Sequence, residues 1–136
     1  MSGGTFTEAY RQAGYRIANP RNQWSARKPD GSAVALTVWA DQIDKAAEPW
    51  VVDTRGHPRY AEWAGRQGNT IRKRDIAHAL AACGGRVDLI LCVAVDPGEQ
   101  PRRIRHARHW PQRIGWIDPA AFDAEAGTFR MELRPA

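Results

Sequence analysis

Cysteine is scarce in this sequence: Cys83 and Cys92 are the only two, and no CxxC spacing occurs. Neither a disulfide framework nor a cysteine-based zinc site is expected, and both thiols read as small buried hydrophobes. Long apolar runs are lacking too. The longest, Leu89 to Val95, has seven residues, against the roughly 20 that a membrane-spanning helix needs. The opening Met1-Ser2-Gly3-Gly4-Thr5 carries neither a basic nor an apolar stretch of the kind that directs secretion. A cytoplasmic location and no membrane partner are expected.

Catalytic signatures are missing as well. There is no Gly-rich phosphate loop, no nucleophile elbow and no Cys/His nucleophile pair. His106 and His109 stand three apart with no Cys or acid close in sequence, and Asp41, Asp44, Glu62 and Asp96 lack the acid-x-Lys element that a divalent-metal nuclease centre would need. No metal, no cofactor and no catalytic residue are assigned. The RNA-recognition fingerprint, the helix-turn-helix pattern and the zinc-finger pattern are absent.

What is present is positive charge, unevenly spread. The chain of 136 residues is 43% hydrophobic and 26% charged, ordinary values that exclude wholesale disorder and favour one globular domain. Its net charge is +5. Asp41 to Asp53 is acidic, with Asp41, Asp44, Glu48 and Asp53 against Lys45 alone. Arg55 to Arg113 holds twelve Arg and Lys against five acids. Such asymmetry predicts one electropositive face and a polyanionic partner.

The fold expected is α+β: a central mixed or antiparallel sheet of about five strands, strongly curved or barrel-like, with two to three helices packed on it. Phe6, Ala9, Tyr10 and Ala13 recur at helical spacing before Gly14, which predicts a first helix over Thr5 to Gly14. Pro29-Asp30-Gly31-Ser32 lies between two strand-like runs and marks a hairpin of Asn22 to Lys28 with Ala33 to Ala40. Trp50 to Thr54 reads as a strand. A helix from Pro58 to Gln67 with Gly68 as its stop is expected next, and then a second one, capped by Asn69 or Thr70, running to Cys83. Val87 to Val95 is nearly all apolar and β-branched, the pattern of a central strand covered on both faces. Strands at Arg113 to Ile117 and Thr128 to Leu133 complete the sheet, whereas Arg102 to Arg105 reads equally as extended loop or strand lead-in.

Three groups of residues carry the functional expectation. In a hairpin centred on Asp30-Gly31, paired residue numbers sum to 61, so Trp24 faces Thr37 and shares a sheet face with Ala26, Ala35 and Trp39. Asn22, Trp24, Thr37 and Trp39 would then frame a recess for a planar ring such as an unstacked base. The alternative places both indoles in the core beneath the first helix. Arg72, Lys73 and Arg74 fall at the start of the expected second helix, where cations oppose the dipole unless an anion docks there. Gln100 to Ile117 contains no acid and offers Arg102, Arg103, Arg105, Arg108 and Arg113 for phosphates, with Trp110 and Trp116 for stacking.

These features point to a binding module for nucleic acid, DNA favoured over RNA, that docks on phosphates and holds a modified or flipped base. Two other classes stay open. One is a small nuclease or phosphodiesterase using His57, His78, His106 or His109 with Asp96 on the same basic surface. The other is a protein-interaction subunit of a bacterial defence or toxin–antitoxin system.

Overall fold

The computed structural model describes residues 4–99 and 102–136. Gln100 and Pro101, at the head of the acid-free segment, lie outside the described residues, as do Met1 to Gly3. The first helix, α1, spans Gly4–Gln12. It turns its Phe6, Ala9 and Tyr10 stripe inward and ends where Gly14 takes φ +90, with the Tyr15 N–H returning to the Tyr10 carbonyl.

Strands β1 (Ser25–Arg27) and β2 (Val34–Trp39) form the expected hairpin. Ser25 pairs with Leu36 and Ala26 with Ala35, and the Thr37 N–H donates to the Trp24 carbonyl, so the anticipated register is the one observed. Gly31 supplies the positive φ of the turn, and the Asp30 carboxylate accepts from the Ser32 N–H at 2.9 Å. Strand β3 (Trp50–Asp53) follows, then a single helical turn, α2 (Tyr60–Trp63), and a long helix, α3 (Gln67–Ala82). Strands β4 (Arg86–Ala94), β5 (Ile104–His109), β6 (Arg113–Ile117) and β7 (Arg130–Pro135) complete the chain.

Among the described residues the sheet has seven strands, the six segments that read as strands in the sequence and β5, and it curls into a half-barrel of α+β type. Its order is β1-β2-β4-β6-β7-β3, with β5 as a second neighbour of β4. The long strand β4 makes this fork possible. Its start pairs with β6 through Arg86 and Val87, its remainder pairs with β5 through Ile90 to Ala94, and its opposite edge runs parallel to β2. Of the Arg102 to Arg105 segment, Arg102 and Arg103 lead into β5 and Ile104 and Arg105 begin it, with a register irregularity opposite Val93 and Ala94.

The two sheet faces carry separate cores. Val34, Leu36, Val38, Val87 and Leu89 meet Ile76 and Ala79 of α3 together with Phe129, Met131 and Leu133. Each such buried aliphatic side chain contributes about 1.5–3 kcal/mol. On the other face, Ala26, Ala35, Ile90 and Cys92 are covered by Phe6, Ala9 and Tyr10 of α1. Cys92 is buried, which pushes its thiol up to about 12.

The segment between β3 and α3 departs from its sequence pattern. The helix expected from Pro58 to Gln67 is only the one turn of α2, and Gly68 is not a stop but part of the first turn of α3. The reason is close packing. A Cβ on Gly68 would stand 2.1 Å from Cε2 of Trp24, so only glycine lets the helix start lie against that indole. Asn69, expected as a cap, sits inside the helix and ties two loops together, its Nδ2 donating to the carbonyls of Ala64 at 2.9 Å and Ala126 at 3.0 Å.

Candidate nucleic-acid interface

The carboxyl ends of the parallel pair β2 and β4 open onto a cleft of about 1300 Å³. In sheets with parallel strands this end is the usual place for a ligand, because loops and helix starts converge there. Thr37 and Trp39 come from β2, Trp24 from the approach to β1, and Phe6 from α1. The region around α2 supplies His57, Arg59 and Trp63, and α3 supplies Arg72. Arg102, Arg103 and Arg105 close it from the side of β5.

Of the residues singled out in the sequence, Trp24, Thr37, Trp39, Arg72, Arg102, Arg103 and Arg105 therefore meet in one place. Asn22, Lys73, Arg74, Arg108, Arg113, Trp110 and Trp116 are not among its lining. The separation of Arg72 from its neighbours follows from helix geometry, since consecutive residues point about 100° apart. Because α3 begins at Gln67, all three basic residues lie beyond its first turn, and the dock at the helix start expected for Arg72, Lys73 and Arg74 does not form. Lys73 Nζ donates to the Glu125 carbonyl at 2.7 Å, and Arg74 is exposed on another face.

The second basic cluster is also divided. Arg113 forms a two-pronged pair with Glu48 at 2.7 Å and lies 3.6 Å from the centre of the Trp50 ring. Arg102 forms another with Asp41 at 2.7 Å, and Arg103 one with Glu99. The acidic stretch of the sequence thus folds back onto part of the basic one. Its effect on the acids is direct: the guanidinium of Arg102 holds the Asp41 carboxyl below its usual range. Trp110 is a core residue beside Trp50, and Trp116 lies on β6 under Arg134. Arg105, by contrast, is exposed at the cleft edge where the β5 register shifts.

The recess expected between Asn22, Trp24, Thr37 and Trp39 does not form over its alanine floor. Its alanine floor is not open, because Tyr10 of α1 covers it and bonds Thr37 Oγ1 at 2.7 Å. Trp24 and Trp39 instead stand at the rim of the deeper cleft, and a third indole joins them. The Trp63 ring is edge-on to Trp24 at 6.4 Å and to Tyr60 at 4.8 Å. Arg102 stacks 4.9 Å from the centre of Trp39, which turns Asp41, Arg102 and Trp39 into one fixed wall.

Arg72 occupies the centre of this arrangement. Its Cζ lies 5.0 Å from the Trp24 ring centre, 5.3 Å from Trp63 and 5.1 Å from Phe129. Its Nε is sealed from solvent and makes no hydrogen bond among the described residues. No carboxylate pairs with it there, and burial pulls its guanidinium down to about 10. The residue as a whole keeps partial exposure, so the sealed Nε and the accessible remainder together describe a guanidinium whose tip reaches the cleft.

In the sequence His57 is only one of four histidines open to an enzymatic reading. In the fold it lines the cleft, with Nδ1 accepting from the Arg59 N–H at 3.0 Å. Burial lowers its pKa first, and the charges of Arg102, Arg59 and Arg72 lower it further. With Nδ1 engaged as acceptor, the neutral ring carries its proton on Nε2. None of the four histidines is bonded to a carboxylate among the described residues: His78 Nε2 contacts the Gly31 carbonyl at 2.8 Å, and the Asp96 carboxylate accepts from the Gly98 N–H. No group of three or more His, Cys, Asp or Glu is placed to hold a metal among the described residues. Nor is any helix among them long and apolar enough to cross a membrane.

No family model, curated protein or solved structure matches the chain. The geometry alone carries the functional reading.

Proposed function

We propose that the protein is a DNA-binding module whose cleft takes an unpaired or extruded base between indoles while arginines hold the flanking phosphates. The observation that supports this most is the composition of the cleft. Seven arginines (21, 59, 66, 72, 102, 103 and 105) line it against two carboxylates, Asp41 and Glu62, and Trp24, Trp39 and Trp63 share the same walls. Positive charge draws in a polyanion, and flat rings hold bases by stacking worth about 1–3 kcal/mol each. Arg21, Arg66 and Arg105 are exposed and form no ion pair among the described residues, which leaves them ready for phosphate.

Three of the six tryptophans line the cleft, so intrinsic fluorescence reports directly on occupancy. Titration with matched duplex DNA, duplex with a modified or mismatched base, single-stranded DNA and RNA at two salt concentrations tests the proposal. The expected result is salt-sensitive quenching, strongest for DNA with an unpaired or altered base. Replacing Arg66 and Arg105 together by Ala should lower the log–log salt slope by about 1.4 to 1.8, at about 0.7 to 0.9 for each phosphate that is no longer neutralised. Equal indifference to all four ligands at low salt would remove nucleic acid as the partner.

A further inference from the structure

Within the DNA-binding reading, and resting on it, the sealed Nε and cleft-facing tip of Arg72 raise a narrower question: what ligand group does it await? A partly desolvated cation without a counter-charge is destabilising. Contacts to three rings offset part of that, but rings accept neither the charge nor the N–H hydrogens fully. Lys28, Lys45, Arg102, Arg113 and Arg134 also lie over rings. Of these, Arg102, Arg113 and Arg134 have a carboxylate as well. Arg72 has three rings, a sealed Nε and no acid among the described residues.

The edge of a neutral base would supply acceptors and leave the charge uncompensated. A phosphate supplies both. An internal phosphodiester carries a single charge and a chain on each side, and exposed arginines at the cleft edge suit it. A phosphate monoester has one substituent, carries about −1.5 to −2 at neutral pH and offers three acceptor oxygens, so it can enter a ring-walled site end-on. We infer that Arg72 is the receptor for a terminal phosphate monoester, carried by the end of a DNA strand or by a free nucleotide, with the attached base against Trp24 or Trp63.

The test compares single-stranded deoxyoligonucleotides of one sequence bearing a 5′-phosphate, a 3′-phosphate or only hydroxyl ends, with a deoxynucleoside 5′-monophosphate and its nucleoside as the small-molecule arms. For the wild-type protein, one phosphorylated end should bind about 10- to 100-fold tighter than the hydroxyl-ended strand, the range expected for a charge-assisted two-pronged contact. Arg72→Gln should bring the two within about twofold of each other, and Arg72→Lys should retain part of the preference. The wild-type comparison stands even if a variant melts early. Equal wild-type affinity for all three strands overturns the inference and leaves the DNA reading intact. A preference that survives Arg72→Gln in a folded variant overturns it as well. Binding of the monophosphate with no binding of any strand supports the receptor and sinks the DNA reading.

Discussion

Gly68→Ala separates the architecture of the cleft from its stability. The new Cβ would lie 2.1, 2.3 and 2.4 Å from Cε2, Cδ2 and Nε1 of Trp24. Ordinary contact is about 3.5–4.0 Å, so the indole must retreat by about 1.5 Å. Trp24 is half-buried and borders the cleft, and it therefore has somewhere to go. Two stability terms oppose each other: displacement of a packed ring costs about 1–3 kcal/mol, and replacing glycine in a helix gains up to about 1 kcal/mol. The net loss should be about 0–3 kcal/mol by urea unfolding. Binding should suffer more clearly, because an indole pushed into the cleft forfeits a stacking surface worth about 1–3 kcal/mol, or about 5- to 150-fold in affinity. A cycle with Trp24→Ala sharpens the case. Once the ring is gone, Gly68→Ala should become stabilising, by up to about 1 kcal/mol, and should have no further effect on binding. If Gly68→Ala destabilises equally with and without Trp24, the clash is not its cause and the reasoning fails.

Other expectations concern the polar groups around the cleft. His57 titrates below its ordinary 6.5 because of burial and the charges of Arg102, Arg59 and Arg72. Its folded value is depressed, so the stability it contributes is fully present above pH about 6.5 and is lost as pH falls through the folded value. NMR titration should show that midpoint rising on Arg102→Gln and on addition of a phosphorylated ligand; a fall in either case would contradict the electrostatic account. Ser25 Oγ donates to Asp75 Oδ2 at 2.6 Å in a buried site, with Arg27 3.4 Å from the other oxygen. Ser25→Ala leaves a buried carboxylate oxygen unpaired and should cost about 1–3 kcal/mol by denaturant unfolding. Tyr10→Phe removes the bond to Thr37 and should cost about 0.5–1.5 kcal/mol, with Thr37 Oγ1 then free toward the cleft.

The parts legible in sequence are those governed by local rules. The hairpin register follows from the Asp30-Gly31 turn, and the place of β4 at the middle of the sheet follows from its unbroken apolar run. Gly84 and Gly85 end α3 as expected, with φ of +63 and +82. What is not legible depends on distant contacts. Gly68 reads as a helix stop until the Trp24 ring above it is known. Arg72, Lys73 and Arg74 read as one patch although a helix sends them three ways, and the charge of Arg102 or Arg113 reads as free until Asp41 or Glu48 folds onto it. The segment from His57 to Trp63 reads as an ordinary helix, yet its composition carries a signal. A histidine and two aromatics between Gly56 and Gly65 are many rings for a stretch too broken to build a long helix.

The forked strand β4 has its own consequence for how the molecule opens. It is hydrogen-bonded on both edges, to β2 on one side and to β5 and β6 on the other, and each of its faces is roofed by a helix. Amide hydrogens of Leu89 to Cys92 consequently have no partial route to solvent, and their exchange reports the whole free energy of unfolding. The seam with β6 consists of two residue pairs, Arg86 with Trp116 and Val87 with Gly115, against five along β5. Breathing of the half-barrel should begin at that seam, so protection in β6 should fade with mild denaturant while the middle of β4 stays silent.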